Sequence, residues 1–326
     1  MKPDNSAVRW RDVEQQVDSM LSDIKKGLNA QPKRLPSKYF YDARGSELFE
    51  EICEQPEYYL TRTELSILQS QSAAIANAIG PDALVVEYGS GSAIKTERLL
   101  RALHTPTAYV PVEISASALA ASVDNLSRQF PNLEMLPVCA DFNAPLQLPK
   151  ARRYTDNVLI FFPGSTIGNF ERRDAIALLE VMQVEMGDQG AALIGIDLKK
   201  DAGTLEAAYN DAAGVTAAFT LNLLERLNRE LDMDFATEHY RHQARYNPMA
   251  GRIETHIVSQ LAQSVSLGQQ SIQFGAGEKM LVECSCKYAL SDFSTMADKA
   301  GMSVDQYWTD ADQMFALVLL KSKISG

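Results

Sequence analysis

The densest chemical signal in the chain is Leu84–Arg98, LVVEYGSGSAIKTER, where Glu87, Gly89, Ser90, Gly91, Ser92 and Lys95 follow one another closely. An apolar run (Leu84, Val85, Val86) ends in Glu87 and the turn Gly89-Ser90-Gly91-Ser92, after which Lys95, Leu99, Leu100 and Leu103 fall at helical spacing. The pattern predicts a buried strand, a tight turn and a helix N-terminus. In doubly wound α/β proteins, ligands sit outside the carboxyl ends of the strands, where glycine lets backbone approach them. The spacing is E-x-G-x-G, so neither the G-x-G-x-x-G of a dinucleotide cradle nor the GK[ST] of a P-loop is spelled. A purely structural strand-to-helix turn would satisfy the same pattern.

The next two units repeat the arrangement. Tyr109–Ser115 (YVPVEIS) predicts a strand ending in Glu113, with a helix over 116–130, and Met135–Phe142 predicts a third strand ending near Asp141 and Phe142. Carboxylates at three successive strand ends suit a ligand bearing ribose hydroxyls and an adenine amine, because they accept hydrogen bonds from both. The set resembles class I S-adenosylmethionine-dependent methyltransferases. That resemblance implies a glycine turn for the methionine part, Glu113 for the ribose, and the pair Asp141 and Phe142 beside adenine. An NAD-binding unit shares the ribose acid but would need the dinucleotide glycine spacing.

The elements that must position these groups follow from apolar periodicity. Val13, Val17, Met20, Leu21, Ile24 and Leu28 predict an amphipathic helix over 13–28. Residues 33–46 are dense in aromatics and turn formers, a short helix is expected from Glu47, and 62–79 reads as another helix. The tyrosines of these loops either pack onto the core or offer an apolar wall with a hydroxyl tip, fit for a small zwitterion. Asn157–Phe162 predicts a central parallel strand, and its carboxyl-end loop is Pro163–Phe170, PGSTIGNF. Asn169 in that loop is either an amide facing a substrate or the cap of the helix expected over 172–184. Ala191–Asp197 gives a sheet of at least five strands, after which the βα rhythm breaks. Helical segments over 201–229 and alternating strands over 235–286 predict an insertion, and the last forty or so residues return to the sheet.

Composition bounds the function. The chain has 326 residues, 46% of them hydrophobic, enough for a sizeable core, and a net charge of −11. That charge argues against nucleic acid and against an anionic membrane surface as partners. Cys53, Cys139, Cys284 and Cys286 form no disulfide framework. The C-x-C spacing of the last two lacks the second pair or the histidine a zinc site needs, so reduced thiols and no metal are expected. MKPDNSAVRW lacks the pattern of a signal peptide and no run is long enough to span a bilayer, which predicts a cytoplasmic protein. Nothing marks an oligomer interface, and a monomer is the default expectation.

Taken in order, LPSKYFYDARGSELFEEI, PEYYLTRTE, EYGSGSAIKT, PVEIS, FPGSTIGNF, AAYNDAAGVTAAF and ECSCKY resemble the histidine-specific Nα-methyltransferases of ergothioneine biosynthesis, over roughly residues 30–321. The resemblance implies a Rossmann-like methyltransferase domain over 63–196 and 287–326, and an α+β substrate-binding lobe over 1–62 and 197–286. It implies S-adenosyl-L-methionine as cofactor, S-adenosyl-L-homocysteine as product, and trimethylation of the histidine α-amine to hercynine. By motif, Tyr41 and Tyr58 match the substrate-lobe tyrosines, Gly164 and Asn169 the loop holding the α-amine and carboxylate, and Tyr209 a helix tyrosine on the carboxylate. Glu283 and Ser285 match the pair that reads the imidazole. Gly89, Lys95, Glu113, Asp141 and Phe142 match the cofactor positions. Tyr41, or a water, is the expected proton acceptor, with Asn169 positioning the amine. Two departures stand out: Glu113 where the family often has Asp, and Thr255 where it often has Met near the imidazole. Thr255 therefore leaves open a different amino acid, such as tryptophan, as substrate. A non-catalytic cofactor-binding protein is the remaining alternative, against which the intact Asn169, Tyr209 and glycine turn speak.

Overall fold

A computed structural model describes residues 17–91, 93–142 and 146–323. The N-terminal decapeptide, residues 13–16 of the first expected helix, and Ser92 of the glycine turn lie outside them. In chain order come helices α1 (Val17–Leu28), α2 (Ala43–Cys53), α3 (Tyr59–Ser70) and α4 (Ser72–Ile79). Then follow β1 (Leu84–Tyr88), α5 (Ile94–Ala102), β2 (Ala108–Glu113), α6 (Ala116–Gln129), β3 (Glu134–Met135) and β4 (Val138–Cys139). After these come β5 (Val158–Phe162), α7 (Arg172–Met186), β6 (Ala191–Asp197), α8 (Ala202–Ala208) and α9 (Val215–Leu231). Strands β7 (Tyr240–Asn247), β8 (Arg252–Ser259), β9 (Gln263–Leu267), β10 (Gln270–Phe274) and β11 (Lys279–Cys286) precede α10 (Leu290–Lys299), β12 (Met302–Thr309) and β13 (Phe315–Ser322). No helix among the described residues is long and apolar enough to cross a membrane. The elements fall into two units, 60–199 with 287–323, and 17–59 with 200–286.

The first unit is built on a sheet in the order β12-β13-β6-β5-β1-β2-β3, with β4 also on β2. Strands β1 to β6 run parallel, whereas β13 is antiparallel to β6 and β12 to β13. Every residue of β1, β2 and β6 is buried, which is why these segments read as continuous apolar runs. Strand order reverses at β1, which has β2 on one side and β5 on the other, and such a reversal opens a ligand crevice at the carboxyl ends.

Three elements depart from the sequence expectation. The strand over 135–142 is two short pieces: Leu136 N–H still donates to the Tyr109 carbonyl of β2 (2.9 Å), but Pro137 has no N–H to donate and the ladder lapses there. The helix over 62–79 is two helices that break at Gln71 (φ −109°, ψ 13°). Strand β12 has no counterpart in the apolar pattern, since it is an edge strand with mostly solvated side chains and a bulge between Val304 and Gln306.

The chain leaves this unit after Lys199 and returns at Lys287, and the two crossings are stitched together. Tyr288 N–H donates to the Asp197 carbonyl (2.9 Å) and Lys199 N–H to the Tyr288 carbonyl (3.0 Å). Between them, Lys287 Nζ meets Asp197 Oδ2 at 2.8 Å with both side chains wholly buried.

In the second unit an antiparallel sheet runs β11-β8-β7 beside the hairpin β9-β10. The N-terminal segment joins it through Leu281, whose N–H donates to the Lys33 carbonyl (3.0 Å) and whose carbonyl accepts from Leu35 N–H (2.8 Å). Helix α9 buries Phe219 against Phe40, Tyr41 and Phe49, with ring centroids 4.8, 5.6 and 6.0 Å away. Asp42 caps α2 by accepting from Gly45 N–H (2.7 Å) and ties it to α9 by accepting from Asn222 Nδ2 (2.8 Å).

Removing one partner of a buried ion pair leaves the other charge uncompensated. Lys287→Ala is expected to cost about 3–5 kcal/mol in urea denaturation, and the double variant Lys287→Met/Asp197→Leu to recover most of it.

Candidate active site

In the first unit the candidate cofactor groups gather at the carboxyl ends of β1, β2 and β4. Gly89 (φ +73°) and Gly91 (φ +24°) make the turn after β1. A Cβ on Gly89 would stand 3.8 Å from the Phe142 ring, so the turn and that ring line one space. Ser90 is 1% exposed and its hydroxyl has no hydrogen-bond partner among the described residues, an orphaned polar group in the turn. Glu113 ends β2 and accepts from Ser115 N–H at 3.1 Å. Burial pushes its carboxyl upward, against the N–H groups of Ser115, Gly91 and Ile114 that favour the anion. Phe142 stacks on Tyr88 (5.2 Å, 14°) and meets Phe162 edge-on at 5.5 Å, with Asp141 half-buried beside it. A glycine turn, an orphaned hydroxyl, a hydrogen-bonded carboxylate and an aromatic plate fit a ligand with an amino-acid end, a ribose and a base.

Glu87 does not share this role. Thr96 Oγ donates to both its oxygens at 2.7 Å, the Tyr109 hydroxyl donates to one of them, and the side chain is 2% exposed. Burial raises its pKa to about 8, outweighing the hydrogen bonds from Tyr109 and Thr96 and the charge of Lys95. It therefore braces the turn from inside, its oxygens taken up by the fold rather than offered outward.

The loop after β5 is the most constrained backbone of the unit. Gly164 (φ +78°) and Ser165 (φ +58°) are consecutive left-handed residues, the second without glycine's freedom. Gly164 N–H donates to Glu64 (2.9 and 3.1 Å), Ser165 Oγ accepts from Asp197 N–H (2.9 Å), and the Tyr288 hydroxyl donates to the Ile167 carbonyl (3.3 Å). Asn169 closes the single 3₁₀ turn Thr166–Asn169 that follows. The cap of α7 is Glu171, so Asn169 is not a helix cap. Lys95 Nζ pairs with Glu64 at 2.7 Å and lies 3.4 Å from where a Gly164 Cβ would be. Sequence reading missed Glu64; its one signal was its place in PEYYLTRTE.

In the second unit the structure brings the candidate substrate groups together. Ring contacts run from Tyr41 to Phe49 (5.7 Å), Phe49 to Tyr58 (6.3 Å) and Tyr58 to Tyr209 (6.2 Å). The Tyr209 hydroxyl then meets Ser285 Oγ at 2.7 Å. Tyr209 is the residue just after α8 rather than within it, held by an imidazole nitrogen of His242 2.9 Å from its carbonyl. Glu283 and Ser285 lie two residues apart on β11 beyond a bulge between Leu281 and Glu283, so they share a face. Thr255 stands opposite Glu283 on β8, 1% exposed, its hydroxyl 3.4 Å from the carboxylate. Burial, then the neighbouring Tyr209, Cys53, Tyr41 and Glu283, push the Tyr58 hydroxyl well up in pKa, so it stays a neutral donor. None of the four cysteines is in a disulfide, and no group of three or more metal-ligating side chains occurs among the described residues.

The seven-element order of the sheet, its terminal antiparallel hairpin, and the acid-and-glycine carboxyl edge define a class I S-adenosylmethionine-dependent methyltransferase. The family described as histidine-specific, SAM-dependent methyltransferases matches residues 20–322, and the chain belongs to it. It is similar to two proteins named histidine N-alpha-methyltransferase. The one from Mycolicibacterium smegmatis is 39% identical, over 93% of this chain and 95% of that one. The one from Mycobacterium tuberculosis is 40% identical, over 91% of this chain and 93% of that one. It is also 29% identical to ergothioneine biosynthesis protein 1 of Neurospora crassa, over 90% of this chain and 34% of that longer protein.

The raised pKa of Glu87 has a consequence for stability. A carboxyl that holds its proton more tightly when folded favours the fold fully below the ordinary carboxyl range, and that contribution is lost as pH rises through about 8. Urea titrations between pH 5 and 9 should show Glu87→Gln flattening the decline, by on the order of a few kcal/mol at the alkaline end.

Proposed function

We propose that this enzyme transfers three methyl groups in succession from S-adenosylmethionine to the α-amine of L-histidine, giving hercynine, as a step of ergothioneine biosynthesis. Family membership and the named relatives support the reaction class. The observation that carries the substrate is the set of half-buried Glu283 with buried Ser285, Thr255 and Tyr209 at the end of an aromatic chain. A carboxylate can accept from an imidazole N–H, and a serine hydroxyl can serve the same ring. An amino acid lacking that donor would leave the Glu283 charge unpaired, at a cost of several kcal/mol. Thr255 gains a place in this reading: opposite Glu283, its hydroxyl adds a donor to the carboxylate, where an indole would gain little.

The cofactor supplies an electrophilic methyl on a sulfonium, and a neutral amine lone pair aimed in line with that carbon is what the protein must provide. In this reading Gly89, Lys95, Glu113, Asp141 and Phe142 hold the cofactor, so residues 60–199 with 287–323 form its domain. Residues 17–59 with 200–286 form the substrate-binding lobe. Gly164 and Asn169 position the α-amino end of histidine, Tyr58 and Tyr209 its carboxylate, and Tyr41, directly or through a water, takes the proton the amine must lose before each transfer. Positioning supplies most of the rate, because no bond other than N–C is made and none but S–C is broken.

Incubating the protein with S-adenosylmethionine and each of the twenty amino acids, then reading masses, tests the proposal. A gain of three methyls on histidine alone is expected; methylation of another amino acid, or of none, would overturn it. Glu283→Gln should lower kcat/KM for histidine by about 10- to 150-fold, the equivalent of one charge-assisted hydrogen bond of about 1.5–3 kcal/mol.

A further inference from the structure

Glu64 has no part in the roles above, yet it joins two of them. It lies on α3, wholly buried, with both oxygens accepting the Gly164 N–H at 2.9 and 3.1 Å and with Lys95 Nζ at 2.7 Å. The sheet makes room for it: a Cβ on Gly195, in the middle of β6, would stand 2.3 Å from Glu64 Oε1. Glycine inside an otherwise apolar strand marks a close approach, and here the nearest group is this carboxylate, with the Phe315 ring next at 3.1 Å. A buried acid whose partners are one ammonium and one backbone N–H is a poor way merely to fasten a helix to a sheet, since apolar packing would hold as well or better.

We propose that Glu64 is a positioning residue for methyl transfer. One carboxylate fixes both the Lys95 ammonium and the first N–H of the loop that ends in Asn169. The loop needs such an anchor, because Gly164 and Ser165 are both left-handed and such backbone persists only where its surroundings over-determine it. Lys95, held from one side by Glu64, keeps its remaining protons for the cofactor's carboxylate. The proposal rests on assigning Lys95 to the cofactor and Gly164 with Asn169 to the substrate amine.

The test uses Glu64→Gln and Gly195→Ala in the full chain. Gln keeps an acceptor for Gly164 but removes the negative charge facing Lys95; Ala at 195 displaces Glu64 without altering its chemistry and also presses on the Phe315 ring, 3.1 Å from the new Cβ. Each variant is checked for folding by circular dichroism, then measured for S-adenosylhomocysteine affinity by calorimetry and for kcat on histidine per folded molecule. The expected result is at least fivefold weaker binding and at least tenfold lower kcat in each, with the double variant little worse than either single one. Binding and kcat within twofold of the parent, with only the melting temperature lowered, would show a structural role and overturn the proposal. If Glu64→Gln does not fold, Gly195→Ala decides alone. If the parent fails to methylate histidine, the proposed function falls, and product affinity alone decides for Glu64: fivefold weaker supports it and unchanged overturns it.

Discussion

The buried pair of Lys287 and Asp197 is the point at which this fold closes. The chain that leaves after β6 comes back at Lys287, and the two crossings are joined by one ion pair and a short ladder of backbone bonds before β13 pairs along β6. Two charges out of water are stabilising only when their geometry is fixed from all sides. Here the same residue that closes the interruption also holds the loop after β5, because the Asp197 N–H donates to Ser165, while the neighbouring Tyr288 donates to the Ile167 carbonyl. The shape of that loop, and with it the placement of Asn169, is thus inherited from the seam where the sheet resumes.

The first unit also sorts its acids by environment. Glu87 and Glu113 end adjacent parallel strands, and both are raised by burial, but Glu87 faces hydroxyls of the fold whereas Glu113 faces backbone N–H groups of the turn and of the segment after β2. A carboxylate ringed by N–H donors keeps a directed lone pair for a ligand hydroxyl; one saturated by Thr96 and Tyr109 has none to spare. What sets these two similar-looking sequence positions apart is what stands opposite each side chain.

That distinction explains what could be read from the sequence. The apolar runs of β1, β2, β5 and β6 were visible because parallel strands are buried on both faces, and the glycine turn because no other residue takes its backbone. The gathering of Tyr41, Tyr58 and Tyr209 with β11 was implied by family motifs and not by any local pattern, since it depends on Leu281 pairing with residues 33 and 35. Strand β12 was invisible because an edge strand solvated along most of its length carries no apolar alternation. Glu64 was invisible for another reason: its partner Gly164 lies a hundred positions away, and a glutamate in an amphipathic helix looks like a solvated face until the tertiary contact is known.

The bulge in β11 gives the face carrying Glu283 and Ser285 a dependence on counting. Side chains on a strand alternate with strict parity, so an extra residue inserted between Leu281 and Glu283 reverses which half of the strand faces which way. Upstream of the bulge Met280 is buried, and Val282, the extra residue, is buried as well; downstream, Glu283 and Ser285 share one side of the strand and Cys284 takes the other. The face that Glu283 and Ser285 share is therefore set partly by phase: which way the two side chains point depends on one backbone position being out of step.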